Sequence, residues 1–115
     1  MAVALPGAAT AATPGTVANL RGQVTRLITA ELAKDTATVC AIVAYPTSSC
    51  AQNWDRSLTR FFRHGGRHML KTDMAAVQTA GVSSDGFSAT IALPHPLRGG
   101  HSAFSWYDNC WMLEK

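Results

Sequence analysis

The apolar residues of this chain change period part-way along its length. From Val17 to Phe62 they recur at steps of three and four, whereas Phe87, Ala89, Ile91 and Leu93 alternate with Ser88, Thr90 and Ala92. The first period lines one face of a helix, the second one face of a half-buried strand. A single switch between them places the helices before the strands. That predicts an α+β fold and excludes alternating β-α-β units.

The helical part divides at its turn signals. Thr16 follows Pro14-Gly15 and is placed to cap a first helix, whose stripe is Val17, Leu20, Val24, Leu27, Ile28 and Leu32. Asp35-Thr36 breaks it. The segment Ala37–Tyr45 admits two readings. Val39, Ile42 and Val43 suit a buried strand, while Asp35 as N-cap and Pro46 as terminator frame a short helix. Beyond the loop at Pro46–Ser49, Ser49 caps a further helix with Cys50, Trp54, Leu58, Phe61 and Phe62 on one face. Gly65-Gly66 is read as its end.

In the extended part, Asp85-Gly86 is a hairpin signal that joins the strand at Phe87–Leu93 to an earlier one near Met74–Val82. A second hairpin joins Ser102–Tyr107 to Cys110–Glu114 through Asp108-Asn109. If Tyr107 pairs with Cys110, Trp106 faces Trp111 and Phe104 faces Leu113. All four then lie on the side of the sheet that meets the helices, and Cys110 points to the other side. The expected architecture is three N-terminal helices packed on about four antiparallel strands.

A chain of 115 residues accommodates one domain, assigned to residues 16–115. With 47% apolar and only 15% charged residues it can build a core and does not read as disordered. No run approaches the roughly 20 apolar residues of a bilayer-spanning helix, so no transmembrane segment is expected. Residues 1–15, uncharged and rich in Ala and Thr, read as a flexible tail. Ala9–Ala12 also resembles the end of a signal peptide whose basic start would lie upstream.

Four segments carry a likeness to known proteins: Leu27–Lys34; Asp35–Val43 with Cys40; Ser49–Phe61 with Cys50; and the aromatic hairpin Trp106–Leu113. In this order they resemble the nuclear transport factor two-like (cystatin-like) cone superfamily, and within it small exported actinobacterial proteins, over roughly residues 17–115. The resemblance implies a helix rather than a strand after Asp35, and helices packed on a curved sheet that leaves a cone-shaped pocket. It also implies a disulfide between Cys40 and Cys50. Such a bond persists in an oxidising compartment, which points to a secreted or cell-envelope protein. Free buried thiols in a cytoplasmic protein are the alternative. Cys110 is left over, either inert or linking to a partner.

The candidate pocket residues are Tyr45, Trp54, Asp73, Trp106 and Trp111. Enzymes of the superfamily, such as ketosteroid isomerase, set carboxylates and a tyrosine inside the cone, to move a proton and stabilise an enolate. The residue types are present in Asp55, Asp73, Asp108, Tyr45 and Tyr107, but none matches an enzyme motif of the family, and no catalytic residue is assigned. Arg56, Arg60, Arg63 and Arg67, with His64 and Lys71, form a basic ridge. It reads either as a contact for anions or headgroups or as the wet face of an amphipathic helix. His64 and His68 are four apart, yet Gly65-Gly66 interrupts the helix that would align them, so no metal site is expected, and no cofactor.

The function expected from these features is non-enzymatic. It is an exported domain that binds a small apolar ligand or a protein partner through its cone pocket or sheet face, with a homodimer through that face. A small isomerase, hydratase or hydrolase is the alternative, as is a structural subunit of a larger assembly. Nucleic acid is disfavoured, because the aromatics belong to the core and no binding motif accompanies the ridge.

Overall fold

The computed structural model describes residues 13–95 and 102–114. The tail expected at residues 1–15 therefore lies mostly outside the described residues. The order is α1 (Val17–Leu32), α2 (Thr36–Ile42), α3 (Cys50–Arg63), α4 (Gly66–Ala76), β1 (Val82–Ser84), β2 (Ser88–Ile91), β3 (Ala103–Tyr107) and β4 (Cys110–Leu113). The fold is α+β, with helices preceding an antiparallel sheet.

The helix starts follow the capping residues. Thr16 is extended and its side chain accepts the Asn19 N–H. Asp35 accepts the Thr38 N–H, and the hydrogen bonds from Thr38 hold its carboxyl below the usual carboxylate range. Of the two readings of the segment after Asp35, the helix holds as far as Ile42. Val43 is then extended and forms a single parallel bridge with Leu113. Ser49 occupies the cap position of α3 without a side-chain capping bond; its hydroxyl lies 3.2 Å from Asn53 Nδ2 instead.

Two expectations need correction. Gly65-Gly66 ends α3 as expected, but a further helix rather than a strand follows it, so the described residues hold four helices rather than three. Gly65 takes a left-handed conformation (φ 83°), which ends α3, and Gly66 opens α4 where any Cβ would overlap the Phe61 ring. The strand expected near Met74–Val82 is correspondingly helix up to Ala76, then turn, and becomes extended only at Val82. Leu70, Asp73 and Val77 form the buried side of this part of the chain.

The sheet is a meander in the order β1-β2-β3-β4. Its last hairpin has the expected register, with Phe104 opposite Leu113, Trp106 opposite Trp111 and Tyr107 opposite Cys110. Asp108 and Asn109 both have positive φ, 48° and 61°, as a two-residue hairpin turn of matching twist demands. The inner face carries Ala89, Ile91, Phe104, Trp111 and Leu113, all buried, against Leu20, Leu27, Ile28, Ile42 and Trp54 of the helices.

Polar ties fix the layers. The disulfide Cys40–Cys50 joins α2 to the start of α3 across a Cα separation of 6.1 Å. Arg21 on α1 donates to the Val77 and Ala80 carbonyls at 2.6 and 2.8 Å, closing the chain end that follows α4. Gln23 donates to the Trp111 carbonyl at 2.8 Å, and the Ala44 N–H donates to the Leu113 carbonyl at 2.9 Å. The free edge of β4 is thereby occupied.

Candidate functional site

Five residues were expected to share a pocket, and they fall into three environments. Trp54 and Trp111 are core residues, each about 1% exposed. Trp106 is partly buried and meets Trp111 edge-on, with ring centroids 5.2 Å apart. The Thr16 carbonyl accepts the Trp111 indole N–H at 3.0 Å, and Gly15 lies directly against both indoles, held by its N–H bond to the Gly86 carbonyl. The chain's own approach to α1 thus covers the aromatic pair.

Asp73 is buried on α4, and its Oδ1 accepts the His95 N–H at 2.7 Å. Loss of water raises its carboxyl above the usual carboxylate range, against the opposing pull of that hydrogen bond and of the His95 charge. The geometry makes it an anchor for the segment leaving β2. Tyr45 lies elsewhere, 80% exposed and with a positive φ of 50° that bulky residues rarely adopt. Its ring meets that of Tyr107 edge-on at 5.5 Å. Hydrogen bonding with Tyr45, followed by loss of water and the nearby Glu114 charge, raises the Tyr107 phenol above its ordinary value.

This aromatic pair sits at one end of the face of the sheet turned away from the helices. Strand alternation places Ser83 on that face in β1, Ser88 and Thr90 in β2, Ser105 and Tyr107 in β3, and Met112 in β4. A shallow trough of about 460 Å³ runs over it, lined by Ser83, Asp85, Ser88, Thr90, Ser105 and Glu114. Glu114 Oε2 is shielded from water and has no hydrogen-bond partner among the described residues. Asp85 is committed internally, since its Oδ1 accepts the Phe87 and Ser88 N–H groups, which hold its carboxyl below the usual range. Hydroxyls and two exposed tyrosines equip this face for docking through hydrogen bonds and ring contacts. They form no nucleophile–base pair.

The residues of the basic ridge all lie exposed on α3 and α4 or the turn between them. Arg56 donates to Asn53 at 2.8 Å. Arg67 donates to the Leu32 carbonyl at 2.8 Å and lies 4.0 Å over the Phe62 ring. Asp55, among the candidate acids, pairs with Lys34 at 3.1 Å, and Asp108 is a turn residue. His64 caps α3 while His68 lies within α4, and among the described residues no group of three His, Cys, Asp or Glu could hold a metal. Cys110 is a free thiol within 3.1 Å of Gln23 Nε2.

The sheet face was expected as a docking surface, but the hydroxyl residues that line it and Glu114 were not singled out. Their signal lay in the strands already recognised, at the alternate positions between the apolar ones. No family model, curated protein or solved structure matches the chain. The described helices include none long and apolar enough to cross a membrane.

Proposed function

We propose that this chain is a non-enzymatic, exported domain that docks a protein partner on the outer face of its sheet, and that the partner is a second copy of itself. The observation that carries the reading is the sheet face left open by the described residues, with the exposed Tyr45–Tyr107 pair at its end. The interior is an unsuitable alternative, because Trp54, Phe104 and Trp111 fill the space between sheet and helices. A second copy suits the face chemically. It bears serine and threonine hydroxyls, each both donor and acceptor, and the described residues that line it include no cationic side chain. In a two-fold interface the same surface supplies both sides, so donors and acceptors on one face satisfy each other across the axis. The helix-then-meander order is also compatible with membership of the cone superfamily. The disulfide supports the exported setting.

Sedimentation equilibrium over a wide concentration range tests the reading. The wild-type chain is expected as a dimer and Tyr107→Asp, which sets a charge in the face without touching the core, as a monomer. A wild-type chain that stays monomeric at the highest concentration, or a Tyr107→Asp variant that dimerises equally well, overturns it.

A further inference from the structure

The exposed side of α3 and the first turns of α4 carries Arg56, Arg60, Arg63, Arg67 and Lys71, and no acidic residue occurs between positions 56 and 72. None of these five makes an ion pair among the described residues, where the one ion pair is Lys34–Asp55. Folding alone does not account for the stripe. Arg56 and Arg60 are four apart on one helix, as are Arg67 and Lys71, and like charges at that spacing weaken a helix. Arg60 and Arg63 do lie in the last turn of α3, where the helix dipole favours cations. Arg67, however, stands in the first turn of α4, where the dipole disfavours them. Its position is instead built, by the Leu32 carbonyl and the Phe62 ring.

We propose that this ridge seats the domain on an anionic lipid surface, the arginines lying among the headgroup phosphates. A row of guanidinium groups about 10 Å long on α3, continued on α4, meets a planar array of phosphates without needing a shaped cleft. A nucleic acid fits less well. Phe61 and Phe62 are partly buried in the core and Phe62 is covered by Arg67, so the ridge offers no free ring on which a base could stack. The choice of lipid over an intracellular polyanion rests on the exported reading drawn from the disulfide. The ridge is separate from the sheet face, so a dimer could use both.

The test is co-sedimentation with vesicles of phosphatidylcholine alone and of phosphatidylcholine mixed equally with phosphatidylglycerol, at low and physiological salt. The expected result is binding to the phosphatidylglycerol vesicles only, weakened by salt. Each basic residue near such a surface contributes about fivefold, so the triple variant Arg56→Gln/Arg60→Gln/Arg63→Gln should bind about a hundredfold more weakly. Arg26→Gln, exposed on α1, should bind as wild type. Circular dichroism checks that the variants fold. No wild-type binding at low salt, or equal binding by the triple variant, overturns the proposal. Tighter binding to a short DNA duplex or to polyphosphate than to the vesicles overturns the lipid assignment in favour of a soluble polyanion. Thiol titration of the protein purified without reductant reports on the exported reading independently of any vesicle result.

Discussion

Gly15 and Gly22 show how differently two glycines can be used seven residues apart in one chain. At Gly15 a Cβ would drive into the indoles of both Trp106 and Trp111, while at Gly22, exposed within α1, it would meet nothing. Gly15→Ala must therefore displace the aromatic pair, and overpacking of this kind costs about 1–3 kcal/mol. Gly22→Ala removes only the entropic penalty of a helical glycine and should stabilise by about 0.5–1 kcal/mol. Thermal melts are expected to move in opposite directions, and a Gly15→Ala variant as stable as wild type would show that the strap over the indoles is not held. Asp73 gives a second contrast. Its folded-state carboxyl is raised by burial, so the folded state holds its proton more tightly than the unfolded one. The stabilisation linked to that proton is complete below the ordinary carboxylate value and is lost as pH rises through the raised one. Asp73→Asn keeps an acceptor for the His95 N–H and carries no charge, so it should flatten this part of the stability–pH curve and melt no lower than wild type at neutral pH. Asp73→Ala leaves that N–H without its partner and should lose about 1–3 kcal/mol. Equal losses for both variants would point to a role for the charge itself and would reopen the catalytic alternative.

Element by element, the sequence was legible where local chemistry and global packing agreed. Thr16 and Asp35 announced two helix starts, and Asp108-Asn109 set the register that brings Trp106 opposite Trp111. It was illegible at α4, and the reason is physical. The stripe Leu70, Asp73, Val77 has helical spacing, but its middle member is a carboxylate, buried only because a backbone N–H more than twenty residues away reaches it. Gly65-Gly66 compounded the error, since a left-handed glycine ends a helix whether the chain then becomes a strand or turns into another helix. The sheet face was expected as a binding surface, but its serine and threonine residues were not singled out, because hydroxyls on the wet side of a strand look like mere solubility until the strands are assembled. The joint between α2 and α3 was legible from its two cysteines only through the family resemblance. In the chain-entropy model, a disulfide across a separation of ten residues stabilises by about 3 kcal/mol. Cys40→Ser/Cys50→Ser should accordingly melt lower by roughly 10–20 °C for a domain of this size, and reductant should bring the wild type down to the same temperature. An oxidised wild type indistinguishable from the double variant would mean that the loop Val43–Ser49 is already held by its other contacts.

On the scale of the whole molecule, charge and aromatic surface are segregated. The arginine ridge lies on α3 and α4, and the hydroxyls, tyrosines and Glu114 lie on the far side of the sheet. Two such surfaces on one small domain allow pairing through one and attachment through the other, and each can be disabled separately. This separation gives the dimer reading a thermodynamic signature that does not depend on hydrodynamic size. If folding and pairing are coupled, association stabilises the folded state by mass action, and the melting temperature rises with protein concentration. The wild type should show that rise. Tyr107→Asp should abolish it while leaving the melt at the lowest concentration nearly unchanged, because Tyr107 is on the surface and touches Tyr45 rather than the core. The triple arginine variant should keep the rise in full, since its charges lie outside the proposed interface. A wild-type melt independent of concentration would remove the second copy as the partner and leave the sheet face to be explained by a different protein. Loss of the concentration dependence in the arginine variant instead would relocate the interface to the helices.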